Sequence, residues 1–113
     1  MDKQDVATEI RARWTDMPES DITKVIDAIW QHALRYQIEL NRCYTTSNSV
    51  NVTGQAASTG DWPKDDQVIA YIHAGHVDLF YGPRPKSHRI ELTNYRGGYT
   101  QKPRSPRVVR HRR

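Results

Sequence analysis

Apolar side chains recur at a spacing of four near the start of the chain, at Val6, Ile10 and Trp14 with Ala7 beside them, while Lys3, Glu9, Arg11 and Arg13 fall elsewhere. That spacing predicts an amphipathic helix of three turns over residues 3–14. Thr15-Asp16-Met17-Pro18-Glu19 interrupts it. There, Asp16 can accept a hydrogen bond from the backbone at Glu19, and Pro18 presets a first helical turn. A second helix is predicted from this point to about Leu40, with Ile22, Val25, Ile26, Ile29, Ala33 and Leu34 on one stripe and Thr23, Lys24, Asp27, Gln31 and Arg35 opposite. Trp30, Ile38 and Leu40 widen the stripe beyond what a short partner helix covers. A homodimer would use the surplus by placing Val6, Ile10, Ile22, Val25, Ile26, Ile29 and Ala33 against a second copy; packing of Trp30 on a sheet is the alternative.

Beyond residue 42 the helical period is lost. Residues 42–67 are rich in Thr, Ser, Asn and Gly and are expected to form a polar loop, with Val50-Asn51-Val52-Thr53 as the one strand-like alternation. Val68-Ile69-Ala70-Tyr71-Ile72 and Val77-Asp78-Leu79-Phe80-Tyr81 flank His73-Ala74-Gly75-His76, which predicts an antiparallel hairpin. Gly82-Pro83 ends it and Pro85 keeps the connector extended. A third strand over residues 89–93 turns Ile90 and Leu92 inward and Arg89, Glu91 and Thr93 outward. Asn94 to Tyr99 then makes a turn, in which Gly97-Gly98 supplies a position of positive φ. The expected fold class is therefore α+β: two N-terminal helices, a small antiparallel sheet and an extended basic C-terminal arm. Residues 1–101 form one domain (1–41 helical and dimerising, 42–67 loop, 68–101 β), and residues 102–113 form the arm.

Charge sharpens this division. From Arg84 to Arg113 there are ten Lys/Arg against one acid, Glu91, a local charge of +9, whereas the first 83 residues hold seven basic side chains against twelve acidic ones, a local −5 within a net +4. Pro103 and Pro106 space the arginines along an extended chain that ends in Arg110-His111-Arg112-Arg113, and planar guanidinium forks on an extended backbone suit a row of phosphates. With 36% hydrophobic residues in 113, the core should be small, a second reason to expect a dimer. The single cysteine, Cys43, excludes an internal disulfide framework and fits a reducing, cytoplasmic setting. No run approaches the roughly 18 apolar residues of a membrane span. The acceptor-like Asn51-Val52-Thr53 has no export signal before it.

Candidates for chemistry are thin. His73 and His76 straddle the hairpin turn and with Asp78 could be half of a metal site, but no further Cys or His lies at ligand spacing, and a plain surface tip is the simpler assignment. Asp65-Asp66 beside Lys64 reads as a solubilising cluster rather than a magnesium site. Glu9, Asp27 and Glu39 belong to polar helix faces. Cys43 reads as a small semi-buried apolar residue, not a nucleophile. No enzyme, metal or cofactor is expected.

Two separated stretches resemble the HU/IHF family of bacterial and phage DNA-bending proteins. The first is Met1-Asp2-Lys3 with Val6 and Ile10, followed by Met17-Pro18-Glu19-Ser20-Asp21-Ile22-Thr23-Lys24-Val25-Ile26-Asp27-Ala28-Ile29, which is similar to that family's paired dimerisation helices. The second is Ile90-Glu91-Leu92-Thr93-Asn94-Tyr95-Arg96-Gly97-Gly98-Tyr99, similar to its strand and aromatic-glycine turn, with Arg104-Ser105-Pro106-Arg107 like the root of its basic arm. About half of the chain is covered; residues 42–88 lie where the family has a short link, and no residue here matches the family's arm-tip proline. The resemblance implies a homodimeric, non-enzymatic, architectural DNA-binding protein. From the residues themselves, Arg89, Arg96, Lys102, Arg104, Arg107, Arg110, Arg112 and Arg113 would neutralise phosphates, while Tyr95 and Tyr99 either stack on bases or pack beneath the sheet. No recognition-helix pattern is present, so contact is expected to be largely independent of sequence, with DNA ahead of RNA as partner. A phage virion or connector protein, its arm touching neighbours or packaged DNA, is the alternative.

Overall fold

The structure, a computed structural model, describes residues 1–58, 60–82, 86–94 and 96–101. The expectations that fall on Pro83, Arg84, Pro85, Tyr95 and residues 102–113 lie outside them. Helix α1 (Lys3–Arg13) begins at a reciprocal cap: Asp5 N donates to the Asp2 side chain at 3.1 Å and Asp2 N to the Asp5 carboxylate at 2.8 Å. Helix α2 (Glu19–Arg35) starts directly after Pro18, whose φ of −70° and ψ of 153° bring the chain in extended. Asp16 does not cap it. Its carboxylate accepts instead from Thr100 N at 2.8 Å and Thr100 Oγ1 at 3.2 Å, tying the link between the helices to the far end of the described chain.

The second helix stops five residues earlier than its apolar stripe suggested. Gln37 adopts a left-handed φ of 54° and redirects the chain, so Ile38 and Leu40 are alternate positions of a strand. Five strands follow, β1 (Ile38–Thr45), β2 (Val50–Ala56), β3 (Gln67–Ile72), β4 (His76–Tyr81) and β5 (Lys86–Glu91), in one antiparallel sheet of order β1-β2-β3-β4-β5. Much of the expected polar loop is thus the β1–β2 hairpin. The hairpin expected between residues 68 and 81 is present, with Ala70 opposite Leu79, Tyr71 opposite Asp78 and Ile72 opposite Val77. The last strand begins at Lys86 rather than Arg89, and Ile90 and Leu92 face inward as expected, Leu92 being buried. No further strand follows within the described residues; Gln101 makes a single bridge to Trp14.

Both helices pack on one face of the sheet. Ile38, Val50, Val52, Ala70, Ile72, Val77 and Leu79 form one core cluster with the apolar stripes of α1 and α2. Val6, Ile10, Ile22, Val25, Ile26, Ile29 and Ala33, expected to face a second copy, are all at most 8% exposed within a single chain. The sheet takes the place assigned to the partner, because it offers the helices an apolar face of its own. Trp30 is partly buried on the same core. Leu34 is the exception to the stripe: five residues beyond Ile29, it sits about 140° round the helix and is 76% exposed. No helix among the described residues is long and apolar enough to cross a membrane.

Candidate functional site

Residues opposite one another on neighbouring strands share a face. The registers place Tyr44 opposite Asn51, Asn51 opposite Tyr71, Tyr71 opposite Asp78, and Asp78 opposite Arg89. These five side chains form a row across the whole sheet, about 19 Å from end to end at the usual strand spacing. Their neighbours along each strand, such as Val52, Ile72, Val77 and Leu79, are buried against the helices, so the row lies on the face away from them.

Aromatic rings group along this row. Phe80 meets Tyr71 edge to face at 5.3 Å, Tyr71 stacks on His73 at 6.0 Å, and the His73 and His76 rings are 4.5 Å apart. The Arg42 guanidinium lies over the Tyr44 ring at 5.0 Å. Asn51, second in the row, is buried and accepts a hydrogen bond from Ser49 Oγ at 2.7 Å.

At the other end of the row Arg89 Nε donates to Asp78 Oδ1 at 2.8 Å and Nη2 to Oδ2 at 3.3 Å. His73 Nε2 and His76 Nε2 approach the same Oδ2 at 3.5 and 3.6 Å. Burial opposes ionisation of Asp78, but the Arg89 hydrogen bond and charge outweigh it and hold the carboxyl below its ordinary range. Burial lowers both imidazoles, more than Asp78 raises them, which favours the neutral rings.

The residues expected to touch nucleic acid divide three ways. Arg89 is exposed on the open face, already forked onto Asp78, and Arg96 is exposed on the turn after β5. Tyr99 is not on the surface: it is 6% exposed and its hydroxyl donates to the Asp21 carboxylate, so it packs under the sheet. Tyr95, Lys102, Arg104, Arg107, Arg110, Arg112 and Arg113 lie outside the described residues. Their root is placed, since Thr15 N donates to Thr100 O at 2.9 Å and Gln101 bridges Trp14.

Tyr44, Tyr71 and Phe80 were not singled out from the sequence, although the period of two carries the signal for two of them. With Ile72, Val77 and Leu79 inward, Tyr71 and Phe80 must point outward together. Tyr44 was hidden by the polar composition around it. Cys43 is partly buried and its thiol is pushed up to about 12 by burial and by Glu9 and Asp5, which favours the protonated form at neutral pH. Among protein-family models, curated proteins and solved structures, none matches the chain.

Proposed function

We propose that this chain is a non-enzymatic, largely sequence-independent nucleic-acid-binding protein. The observation that carries the proposal is the segregation of charge: ten Lys/Arg against one acid in the last thirty residues, on a body of opposite sign. Six of those cations follow Gln101 and would neutralise phosphates; Lys86, Arg89 and Arg96 lie in or next to the edge strand β5. The open sheet face complements them. Tyr44, Tyr71 and Phe80 offer ring surface to bases, with Arg42 and Arg89 at the flanks.

The resemblance to the HU/IHF family supports DNA as the partner, and the ring-bearing face extends the proposal to single strands. A homodimer, if formed, would use a surface other than the helix stripes, which the sheet covers. The test is a fluorescence-anisotropy titration of the full chain with duplex DNA, single-stranded DNA and RNA of one length at two salt concentrations. Binding to at least one, weakening steeply with salt, is expected. Binding that is absent for all three, or that does not weaken with salt, would end the proposal.

A further inference from the structure

We infer that His73, His76 and Asp78 form a binding site for a divalent transition ion of the zinc class at the tip of the β3–β4 hairpin. One ligand atom from each residue lies within 4.8 Å of the other two. Both imidazole Nε2 atoms point to one carboxylate oxygen, Asp78 Oδ2, at 3.5 and 3.6 Å. Those separations are too long for good hydrogen bonds. They are close to the edge of a tetrahedron around a zinc ion, about 3.3–3.4 Å for ligand bonds of about 2.0–2.1 Å. Both nitrogens therefore stand at a ligand-to-ligand spacing from the same oxygen rather than hydrogen-bonded to it.

The surroundings fit the same chemistry. A metal ligand must offer a lone pair, and two partly buried imidazoles and a partly buried carboxylate supply one each. Arg89 grips the same carboxylate mainly through Oδ1 at 2.8 Å, with a longer bond of 3.3 Å to Oδ2, outer hydrogen bonds of the kind that fix a ligating carboxylate. Two nitrogen ligands and one oxygen suit zinc better than magnesium or calcium, which take mostly oxygen. Three protein ligands leave a fourth position. Both histidines also line a shallow cavity of about 330 Å³ together with Asn48, Arg96, Gly97 and Gln101, with room for water or an anionic oxygen beside them.

The local fold holds the three residues together for reasons unrelated to a metal. Tyr71 and Asp78 are register partners, Tyr71 stacks on His73, and His73 N donates to His76 O at 2.8 Å to close the turn. Little reorganisation would be needed on binding.

The full chain, free of any histidine tag and stripped with a chelator, is titrated with zinc sulfate by calorimetry, and separately with cobalt(II), whose visible absorption reports tetrahedral ligation. One zinc per chain and intense cobalt bands are expected. Asp78→Asn and His73→Gln should each weaken zinc binding at least about tenfold, and His88→Gln, away from the cluster, should leave it unchanged. Thermal unfolding in chelator checks that each variant is folded, and zinc should raise the midpoint of the parent chain but not of Asp78→Asn. No saturable binding at one ion per chain, cobalt bands lacking the tetrahedral intensity, or the same loss from His88→Gln as from Asp78→Asn would overturn the site.

Discussion

Asp21 is the residue on which the joint between helices and sheet turns. It is 4% exposed, and its carboxylate accepts from Thr93 N at 3.1 Å, from Thr93 Oγ1 at 2.9 Å and from the Tyr99 hydroxyl. Burial works against its charge, but these bonds and the nearby Lys24 outweigh it, so its carboxyl is held below the ordinary range. Burial, together with the same carboxylate, pushes the Tyr99 phenol up to about 12 and keeps it a neutral donor. Asp21→Ala should cost about 2–3 kcal/mol, because three donors lose a charged acceptor, and Tyr99→Phe should cost less, about 1 kcal/mol. Chemical denaturation near neutral pH measures both. Acid adds a sign. With a folded value below the unfolded one, Asp21 stabilises the fold fully above the ordinary carboxylate range, and this is lost as pH falls through its folded value. His32 acts in a higher window: burial lowers it from 6.5, and its Nε2 donates to Phe80 O at 2.6 Å as the neutral ring. Below about 6.5 the unfolded chain takes up a proton that the folded chain refuses, so stability should already decline there. His73 and His76, also lowered by burial, share that window, so His32→Gln should lessen the first decline in a pH series of denaturation midpoints while leaving the carboxylate limb in place.

At the scale of elements, the turn after β5 is held by backbone bonds that one glycine permits. Gly98 has φ of 74°, and an added Cβ would sit 2.9 Å from Ala74 O, the atom that accepts from Tyr99 N at 2.6 Å. Gly98→Ala should therefore destabilise by about 1–3 kcal/mol, read as a lowered denaturation midpoint. Ile29→Asp would put a charge at a position with no exposure, between helix and sheet. It should abolish cooperative unfolding of the single chain rather than merely separate two copies; a variant as stable as the parent would contradict the two-layer packing. The helices and the 68–81 hairpin were legible because their periods of 3.6 and 2 are unbroken over several residues. Three features were not. Ile38 and Leu40 sit two apart, a strand spacing that a preceding helical stripe absorbs, and Gln37 gives no composition signal for its left-handed turn. Residues 42–56 are polar because their outer side faces away from the helices, so Thr, Asn and Gln there conceal two strands. The seven apolar helix residues were recognised as an interface, but only the hidden strands reveal that their partner is the chain's own sheet. His73, His76 and Asp78 were visible as a spacing, whereas their convergence depends on the Tyr71–Asp78 register.

For the whole molecule, the proposed function divides between stacking on the open sheet face and phosphate neutralisation by the cationic run, and the two should fail differently. Tyr71→Ala should weaken single-strand binding by about 1–3 kcal/mol while leaving its salt dependence unchanged. Loss of the run should do the reverse. Its root lies beside an acidic group, with Thr100 on Asp16 and Gln101 against Trp14. Whether the cations face a polyanion or their own body is therefore decided by counting the salt ions released on binding. The measurement is the slope of log K against log salt for the full chain and for a chain ending at Gln101. Six basic residues follow that point, and each phosphate contact is worth about 0.9 in slope on duplex DNA, so truncation should flatten it by up to about 5. An identical slope for the two chains would contradict the central claim.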